Sequence, residues 1–395
     1  MSTKRPLRVL QVMGVLSVGG AENWLLALLR HWSQTGAVEL EFLLTGGKPG
    51  FYDSEVESLG GKIHYVQYSR GHGGSFTREF RRILSQGGYD AIHDHSDYAS
   101  GWHFLLGSGV LPPVRVMHIH NTRNQFRINY ERTAVRRLSG QLGKAFASHL
   151  ATHVCGTSAK ALREYGYEPG RTGPPRISVL HCGFDTPMFN GPRVDDRASV
   201  LHEFGFGKTA KLLFHAGRLD YQFESNHHRN HKNTWLVVEI AREAARRDSN
   251  IALLIAGAGD KQRAQIGERI ATWGLAERLR LIGVRSDIGR LMRAADIVLF
   301  PSMEEGLGMV AVEAQAAGTP VLVSTTVPRE ACIIPELFHA LPLDEPLTSW
   351  TEKLFRILNA SRPDTARCSA AVEASPFSIA NSARSLEAIY GGGER

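Results

Sequence analysis

The stretch ADIVLFPSMEEGLGMVAVEAQAAGTPVLVS, residues 295–324, decides the fold. It opens with the short apolar run ADIVLF and closes with TPVLVS, and both runs are typical of buried strands. Between them the first strand ends near Pro301, glycines break the chain at 306 and 308, and a helix is predicted from about Met309. This order of strand, turn, helix and strand predicts parallel strands joined by a crossover helix.

Short apolar runs and helical patterns alternate in the same way along both halves of the chain. Strands are predicted at LRVLQVM, LEFLL, KIHYV, DAIH, VRVMHIH and THVCG in the first half, and at KLLFHAG, IALLIAGAG and LRLIG in the second. We therefore predict an α/β protein with two doubly wound parallel-sheet domains. A Gly- and Pro-rich join over residues 168–196, which includes RISV, places the first domain at residues 1–190 and the second at 191–375, followed by a C-terminal helix over 376–395 that packs back on the first domain.

Composition and charge narrow the class of protein. Of 395 residues, 43% are hydrophobic and 22% are charged, as in ordinary globular proteins. The four cysteines form no C-x-x-C pair, and no apolar run is long enough to cross a bilayer, so we expect a cytoplasmic protein with reduced thiols. The first 190 residues hold 21 Lys and Arg against 14 Asp and Glu, and the remainder is balanced at 25 against 25. This asymmetry favours an anionic partner for the first half, or else a basic solvated face.

Three turns that follow predicted strands could bind an anion. Doubly wound sheets bind ligands beyond the carboxyl ends of their strands. In SVGGAEN, Gly19 and Gly20 open a helix whose first N–H groups have no partner within the helix, although the pattern is not G-x-G-x-x-G and could serve packing alone. In the second half, Arg218 follows a strand and Lys232 precedes a helix, so the two cations could neutralise a pyrophosphate or lie on the surface.

Two carboxylates border the third of these turns. Glu305 precedes the predicted helix and Glu313 lies within its first turns. Carboxylates near a cleft can accept hydrogen bonds from the paired hydroxyls of a sugar or a ribose, although the helix dipole alone would also favour an acid at position 313.

The motifs together resemble glycosyltransferase family 4. EGLGMVAVE is similar to the E-x7-E motif of that family, and GGAE, GFDTPMF, GRL…KN and ADIVLFPS occur in the family's order. The resemblance covers nearly the whole chain and is greatest to the exopolysaccharide-synthesis branch. It implies the GT-B fold, with two Rossmann-like domains facing across a cleft and the nucleotide sugar held mainly by the second.

The resemblance also implies roles for individual residues. The implied donor site consists of Gly19, Gly20, Arg218, Lys232, Glu305, Gly306, Gly308, Met309, Val310 and Glu313. Arg218 and Lys232 would hold the diphosphate, Glu305 the hydroxyls of the transferred sugar, and Glu313 the ribose. The implied catalytic set is Arg218, Lys232 and Glu305 with His118, which matches the family's first-domain histidine. His120 is the neighbouring alternative, and either histidine could instead be a hydrogen-bonded residue at a strand end.

One segment departs from the family pattern. Lys232 lies 14 residues after Arg218, farther than is usual, and the added residues 220–231 include His227, His228 and His231. They could form a mobile loop or a metal site. The resemblance implies a metal-independent reaction, no D-x-D motif follows a strand, and we expect no metal and no cofactor.

The acceptor is less well defined by the sequence. Residues 122–150 carry six cations against the single acid Glu131, and Val135, Leu138, Leu142 and Phe146 recur at helical spacing. This basic amphipathic helix could contact an anionic membrane as a peripheral surface, or its apolar stripe could pack on the sheet.

The predicted function is a retaining hexosyltransferase-type glycosyltransferase of polysaccharide or glycoconjugate synthesis. It would move a sugar from a nucleotide-diphosphate sugar, of which a UDP-sugar is favoured, to a saccharide or lipid-linked saccharide. Two alternatives stay open: a nucleotide-sugar epimerase of the same fold, and a transferase to a small-molecule natural product. No aromatic and basic module typical of nucleic-acid binding occurs, so no nucleic-acid partner is expected.

Overall fold

The computed structural model describes residues 5–69, 71–219 and 231–392. Within these ranges the chain forms two compact units. The first comprises the residues up to Phe184 together with those from Pro376 onward, and the second is Asp185–Ser375.

The first unit is a parallel sheet of seven strands within the described ranges. Its strands are β1 (Leu7–Met13), β2 (Val38–Leu44), β3 (Lys62–Tyr65), β4 (Ala91–Asp94), β5 (Val114–Ile119), β6 (His153–Gly156) and β7 (Arg176–Val179). Its helices before the second unit are α1 (Gly20–Thr35), α2 (Asp53–Ser58), α3 (Gly73–Gly87), α4 (Ala99–Leu106), α5 (Arg123–Tyr130), α6 (Ala134–Leu150) and α7 (Ala159–Glu164). The strands lie in the order β3-β2-β1-β4-β5-β6-β7, and all pairs are parallel.

The second unit repeats this plan with six strands in the described residues. Its strands are β8 (Lys211–Ala216), β9 (Ile251–Ala256), β10 (Leu279–Gly283), β11 (Ile297–Phe300), β12 (Val321–Ser324) and β13 (Phe338–Leu341). Its helices are α8 (Arg193–Glu203), α9 (Thr234–Arg247), α10 (Asp260–Thr272), α11 (Ile288–Ala294), α12 (Met309–Ala316), α13 (Leu347–Leu358) and α14 (Thr365–Glu373), with 3₁₀ turns at Thr186–Phe189 and Arg329–Ala331. The strand order is β10-β9-β8-β11-β12-β13, again all parallel.

The chain returns to the first unit with α15 (Ile379–Tyr390). Side-chain hydrogen bonds from α1 to α15 hold it there, from Trp24 Nε1 to Ser382 Oγ at 2.9 Å and from Trp32 Nε1 to Glu387 Oε1 at 2.7 Å. Both indole rings are buried, so each N–H needs the partner that α15 supplies.

The two doubly wound parallel sheets predicted from the sequence are therefore confirmed. In each sheet the chain reverses its winding direction beside the first strand, between β1 and β4 and between β8 and β11. Such switch points open a crevice at the carboxyl ends of the strands. The sequence analysis assigned RISV to the join, whereas it forms the edge strand β7, and it did not identify β13. β7 is preceded by glycines and prolines that indicate a loop, and β13 is an edge strand that forms through its pairing with β12.

Candidate functional site

The predicted donor residues of the second unit gather at its switch point. β8 and β11 are paired neighbours, so the turns after them begin at the same edge of the sheet. Arg218 lies exposed in the turn after β8, and the turn from Pro301 to Gly308 follows β11.

A lysine and a glutamate form an ion pair at this edge. Lys232 Nζ lies 2.6 Å from Glu305 Oε1, and Ser302 Oγ donates to the same oxygen at 2.6 Å. Glu305 is buried, and the Lys232 side chain as a whole is about one quarter exposed.

The position of Lys232 is set by its own contacts and by a backbone contact of His231, the last residue of the added segment. The amide of Met303 donates to the carbonyl of His231 at 2.7 Å, which joins the start of α9 to the turn after β11. The ammonium also lies 5.1 Å from the centre of the Phe300 ring, a cation–π distance. His227 and His228, which raised the alternative of a metal site, lie outside the described residues.

Glycine 308 shapes the beginning of α12. Its φ of +93° favours glycine, and a Cβ there would lie 3.0 Å from Val327 Cγ1 and 3.2 Å from the Phe300 ring. The preceding carbonyl of Ser302 accepts hydrogen bonds from the hydroxyls of Ser324 and Thr326, which fixes the turn. The backbone N–H groups at the start of α12, near Met309 and Val310, are therefore placed by a rigid turn beside Glu305.

Glu313 lies half-buried on α12. Desolvation raises the pKa of its carboxyl to about 7, and the charge of Lys232 opposes that rise. The two glutamates therefore differ in environment, because Glu305 is paired with Lys232 and hydrogen-bonded by Ser302, whereas burial dominates at Glu313.

The sequence analysis missed several residues that build this site. Ser302 is separated from Glu305 by a single turn, and its spacing in PSMEE was the signal available. His215 on β8 is buried, its Nδ1 lies 2.8 Å from the carbonyl of Leu299, and burial lowers its pKa to about 4. Among the described residues, its Nε2 has no hydrogen-bond partner.

The β9 turn approaches the Arg218 turn closely. A Cβ on Gly257 would lie 1.8 Å from the carbonyl oxygen of Gly217, and one on Gly259 would lie 2.1 Å from that of Leu219. Both glycines have positive φ values, +154° and +129°. The GAG of IALLIAGAG thus permits the backbone contact that supports Arg218.

In the first unit, Gly19 and Gly20 precede and open α1. A Cβ on Gly19 would lie 2.3 Å from Glu22 Oε2, while one on Gly20 would meet nothing within 4 Å. Gly19 therefore permits the side chain of Glu22 to fold back, and Gly20 leaves open space at the helix N-terminus.

The two histidines of VMHIHNT differ in access. His118 is fully buried on β5, with Nε2 3.2 Å from the carbonyl of Leu180 and Nδ1 3.2 Å from His93 Nε2. His120 is half-buried one residue past β5, and its amide donates to buried Asp97, whose pKa burial raises to about 7. The structure thus places His118 within the protein and His120 at the strand end.

Two family models match the chain. The model described as Glycosyltransferase Family 4 matches residues 18–187, and the model described as Glycosyl transferases group 1 matches residues 211–340. The chain is 28% identical over 360 residues to the putative glycosyltransferase EpsF of Bacillus subtilis (strain 168), covering 90% of this chain and 89% of that protein.

Solved structures share the fold. HepE of Anabaena, crystallised in complex with UDP and glucose, superposes with a TM-score of 0.73 at 16% identity, covering 98% of this chain and all of HepE. Sucrose-phosphate synthase from Thermosynechococcus elongatus gives a TM-score of 0.73 at 18% identity, with 98% of each chain covered. Together with the family models, these matches define a glycosyltransferase with two Rossmann-like domains, the GT-B fold. Within that class, residues 18–187 form a glycosyltransferase family 4 domain and residues 211–340 a glycosyl transferases group 1 domain.

Proposed function

We propose that the protein transfers a hexose from a UDP-sugar to a saccharide or lipid-linked saccharide, with retention of configuration and without a metal. The observation that carries the donor assignment is the contact of Lys232 with Glu305 beside the glycine-capped start of α12. A cation, a carboxylate and unpaired backbone N–H groups then stand together where a doubly wound sheet binds ligands.

The diphosphate of the donor would lie against Lys232, Arg218 and the amides of Met309 and Val310. An ammonium has several N–H donors, and Glu305 takes one of them, so the others can bind phosphate oxygens. Charge on the departing diphosphate grows in the transition state, and fixed cations and amides that meet it there lower the barrier. In the first unit, the space beside Gly20 at the start of α1 would admit an anion only after the carboxylate of Glu22, which lies against Gly19, moves away.

The two glutamates would bind hydroxyl groups at different ends of the donor. Glu305 is held by Lys232 and Ser302 and would accept hydrogen bonds from the transferred sugar. Glu313 lies farther along α12 and would accept them from the ribose. We do not assign Glu305 as a nucleophile, because its carboxylate is already engaged by a cation and a hydroxyl.

In the transfer step, the bond between the anomeric carbon and the diphosphate oxygen breaks, and the acceptor oxygen bonds to that carbon on the same face. The proton of the acceptor hydroxyl goes to the leaving diphosphate oxygen, so the protein needs to supply no base and no metal. HepE, which shares the fold, was crystallised with UDP and glucose, and this supports UDP as the nucleotide.

His120, and not His118, is our choice for the first-domain histidine at the transferred sugar. Both nitrogens of His118 have partners at 3.2 Å and its ring is fully buried, whereas Nδ1 of His120 has a weaker contact, 3.8 Å from the thiol of Cys182. His120 is half-buried at the strand end, where a ligand can reach it.

A basic apolar surface on the first unit supports a lipid-linked acceptor. On α6, Val135 and Leu138 are 78% and 57% exposed, and Leu142 is exposed as well. Three residues of the predicted stripe therefore do not pack on the sheet, whereas the fourth, Phe146, is half-buried and its ring centre lies 5.0 Å from that of Trp102 on α4. The buried face of α6 is formed instead by Gly140, Gly143 and Ala147. Gly143 meets α4 so closely that a Cβ on Gly101 would lie 1.9 Å from its carbonyl oxygen.

The charge around this stripe is positive. Exposed arginines flank it at positions 127, 132, 136 and 137. Glu131, the one acid among residues 122–150, is buried and bound by Arg123 at 2.8 Å. No helix of the described chain is long and apolar enough to cross a membrane. We propose that this α6 surface, defined by Val135, Leu138, Leu142 and the flanking arginines, lies on an anionic membrane.

A donor panel tests the proposal. UDP-, GDP- and ADP-sugars are compared for thermal stabilisation of the full chain, since a ligand that binds only the native state raises the unfolding temperature. The favoured UDP-sugar is then incubated with saccharide and lipid-linked acceptors, and the anomeric configuration of the product is determined by NMR. Inversion of configuration, or conversion of the donor without transfer, would overturn the proposed reaction.

A further inference from the structure

Two buried histidines, His93 and His118, and two half-buried ones, His95 and His120, form a cluster in the first unit. His93 and His95 lie on and just after β4, and His118 and His120 lie on and just after β5, so each H-x-H pair points to one face of the sheet. Ring centres are 4.3 Å apart in the first pair and 4.1 Å apart in the second. Trp24 of α1 contacts all four rings.

The hydrogen-bond direction in this cluster is fixed from one end. A backbone carbonyl can only accept, so His118 carries its proton on Nε2, 3.2 Å from the oxygen of Leu180. His118 Nδ1 is then an acceptor and receives the proton on His93 Nε2 at 3.2 Å. His93 Nδ1 is an acceptor in turn, and the hydroxyl of Tyr390 donates to it at 2.5 Å.

The same logic continues to the half-buried end. The oxygen of Tyr390 accepts from Gln11 Nε2 at 3.2 Å, and Gln11 Oε1 accepts from His95 Nε2 at 2.8 Å. His95 Nδ1 therefore accepts, and His120 Nε2 donates to it at 2.8 Å. Only His120 Nδ1 remains, as an acceptor 3.8 Å from the thiol of Cys182.

This order leaves every imidazole neutral with one donor and one acceptor. Three of the rings, His93, His95 and His118, bring nitrogens within 4.8 Å of one another, a separation at which a metal could bind. In the hydrogen-bonded chain, however, each of these nitrogens has a proton or a lone pair directed at a partner. The cluster is thus satisfied by its own side chains.

We propose that this series of hydrogen bonds presents Nδ1 of His120 as an acceptor for a substrate hydroxyl. Tyr390 and Gln11 are then positioning residues for His120. The inference rests on the proposed function, in which His120 faces the transferred sugar. The thiol contact is the longest and weakest link of the chain, so a hydroxyl donor displaces it most readily. Burial, which lowers the pKa of His120 to about 3, acts in the same direction by disfavouring the imidazolium.

The position of Tyr390 extends this role to the C-terminal helix. Tyr390 is the last residue of α15 and lies against His93, while Gln11 pairs with His93 in the register of β1 and β4. The C-terminal helix thus sets the proton position on a histidine of β4 and, through Gln11, on those nearer the surface.

NMR of the protein with ¹⁵N-labelled histidine tests the proposed order of hydrogen bonds directly. Long-range ¹H–¹⁵N spectra at neutral pH distinguish the two neutral tautomers, and single His→Gln variants assign the rings. We expect all four rings to be neutral with the proton on Nε2. An Nδ1 proton, an imidazolium or a metal-bound nitrogen on any of the four would overturn the hydrogen-bond order.

The positioning role is tested with Tyr390→Phe. This variant removes the donor to His93 and the acceptor for Gln11, so we expect altered tautomer populations at His95 and His120 and about a tenfold lower kcat, with the donor KM nearly unchanged. Tyr89→Phe is the control, because it removes a buried hydroxyl of the same unit that binds Glu41 outside the chain. Should Tyr390→Phe not fold, Gln11→Leu breaks the same chain from β1.

The two proposals fail in different ways. If the wild-type protein transfers no sugar, the tautomers still decide the hydrogen-bond order, and only the proposed reaction fails. If transfer occurs and Tyr390→Phe keeps the wild-type kcat, the chain is structural and its positioning role is overturned.

Discussion

Lys232 Nζ and Glu305 Oε1 lie 2.6 Å apart, although 73 residues separate them in the sequence. The pair joins the start of α9 to the turn after β11 and is supported by Ser302. Its charges are fixed before any ligand binds, which reduces the cost of arranging them in the transition state.

Removing the charge of Lys232 should therefore impair catalysis more than folding. We expect Lys232→Met and Glu305→Gln each to lower kcat/KM roughly 100-fold or more. The double variant should lose much less than the sum of the two free energies, because the side chains act as a unit. Steady-state kinetics with the best UDP-sugar measure kcat/KM for the two single variants and for the double variant. Lys211→Met is the control, since it removes a lysine of the same unit that pairs with Asp248 at the other end of β8. Near-normal turnover in Lys232→Met would contradict the site.

The turn glycine next to the Arg218 turn should be intolerant of a side chain. Gly257→Ala would place a Cβ 1.8 Å from the carbonyl oxygen of Gly217 in a backbone conformation that favours glycine, so we expect a loss of more than about 2 kcal/mol of unfolding free energy. Urea denaturation measures it.

A second glycine of the same unit provides the comparison. Gly267 lies in α10, and a Cβ there would make only an ordinary contact, 3.7 Å from Leu281 Cδ1. Gly267→Ala should raise the unfolding free energy by about 0.5–1 kcal/mol through helix propensity. Equal effects of the two variants would refute the close approach of the two turns.

Glu313 should make stability fall as the pH rises. Burial raises its pKa from 4.5 to about 7, so between these values the unfolded chain releases the proton while the folded protein still holds it. The unfolded state then binds fewer protons, and the unfolding free energy falls across this window by on the order of 2–3 kcal/mol. Glu313→Gln should remove this slope, measured by urea denaturation at several values from pH 4.5 to 8. A wild-type slope identical to that of the variant would contradict the raised pKa.

The parallel sheets were predictable because each strand is short, apolar and followed by a helical pattern. The residues 295–324 form β11, a glycine-bearing turn, α12 and β12 within a residue or two of the predicted limits. The edge strand β7 was not predictable, since prolines and glycines surround its four residues and tertiary pairing alone makes it a strand.

Individual site residues were predictable, but their partnerships were not. Sequence spacing could not show that Lys232 reaches Glu305 despite the insertion, because the contact depends on the backbone bond from Met303 to His231. Likewise, HDH and HIH each predict two histidines on one face of a strand. Only the strand order, which makes β4 and β5 neighbours and brings Gln11 of β1 against His93, shows the connected chain.

The α6 surface should bind anionic vesicles through its apolar and basic residues together. Val135→Gln with Leu138→Gln leaves the charge unchanged and removes the exposed apolar groups, each of which contributes about 1–2 kcal/mol when buried in lipid. We expect at least about tenfold weaker binding to vesicles containing an anionic phospholipid, measured by co-sedimentation.

Arg136→Gln with Arg137→Gln should also weaken binding, and added salt should reduce the difference between this variant and the wild type. Val194→Gln, an equally exposed valine on α8, is the control and should bind like the wild type. Binding to neutral vesicles as tight as to anionic ones, or binding unaffected by the paired glutamines, would show that this surface does not face the membrane.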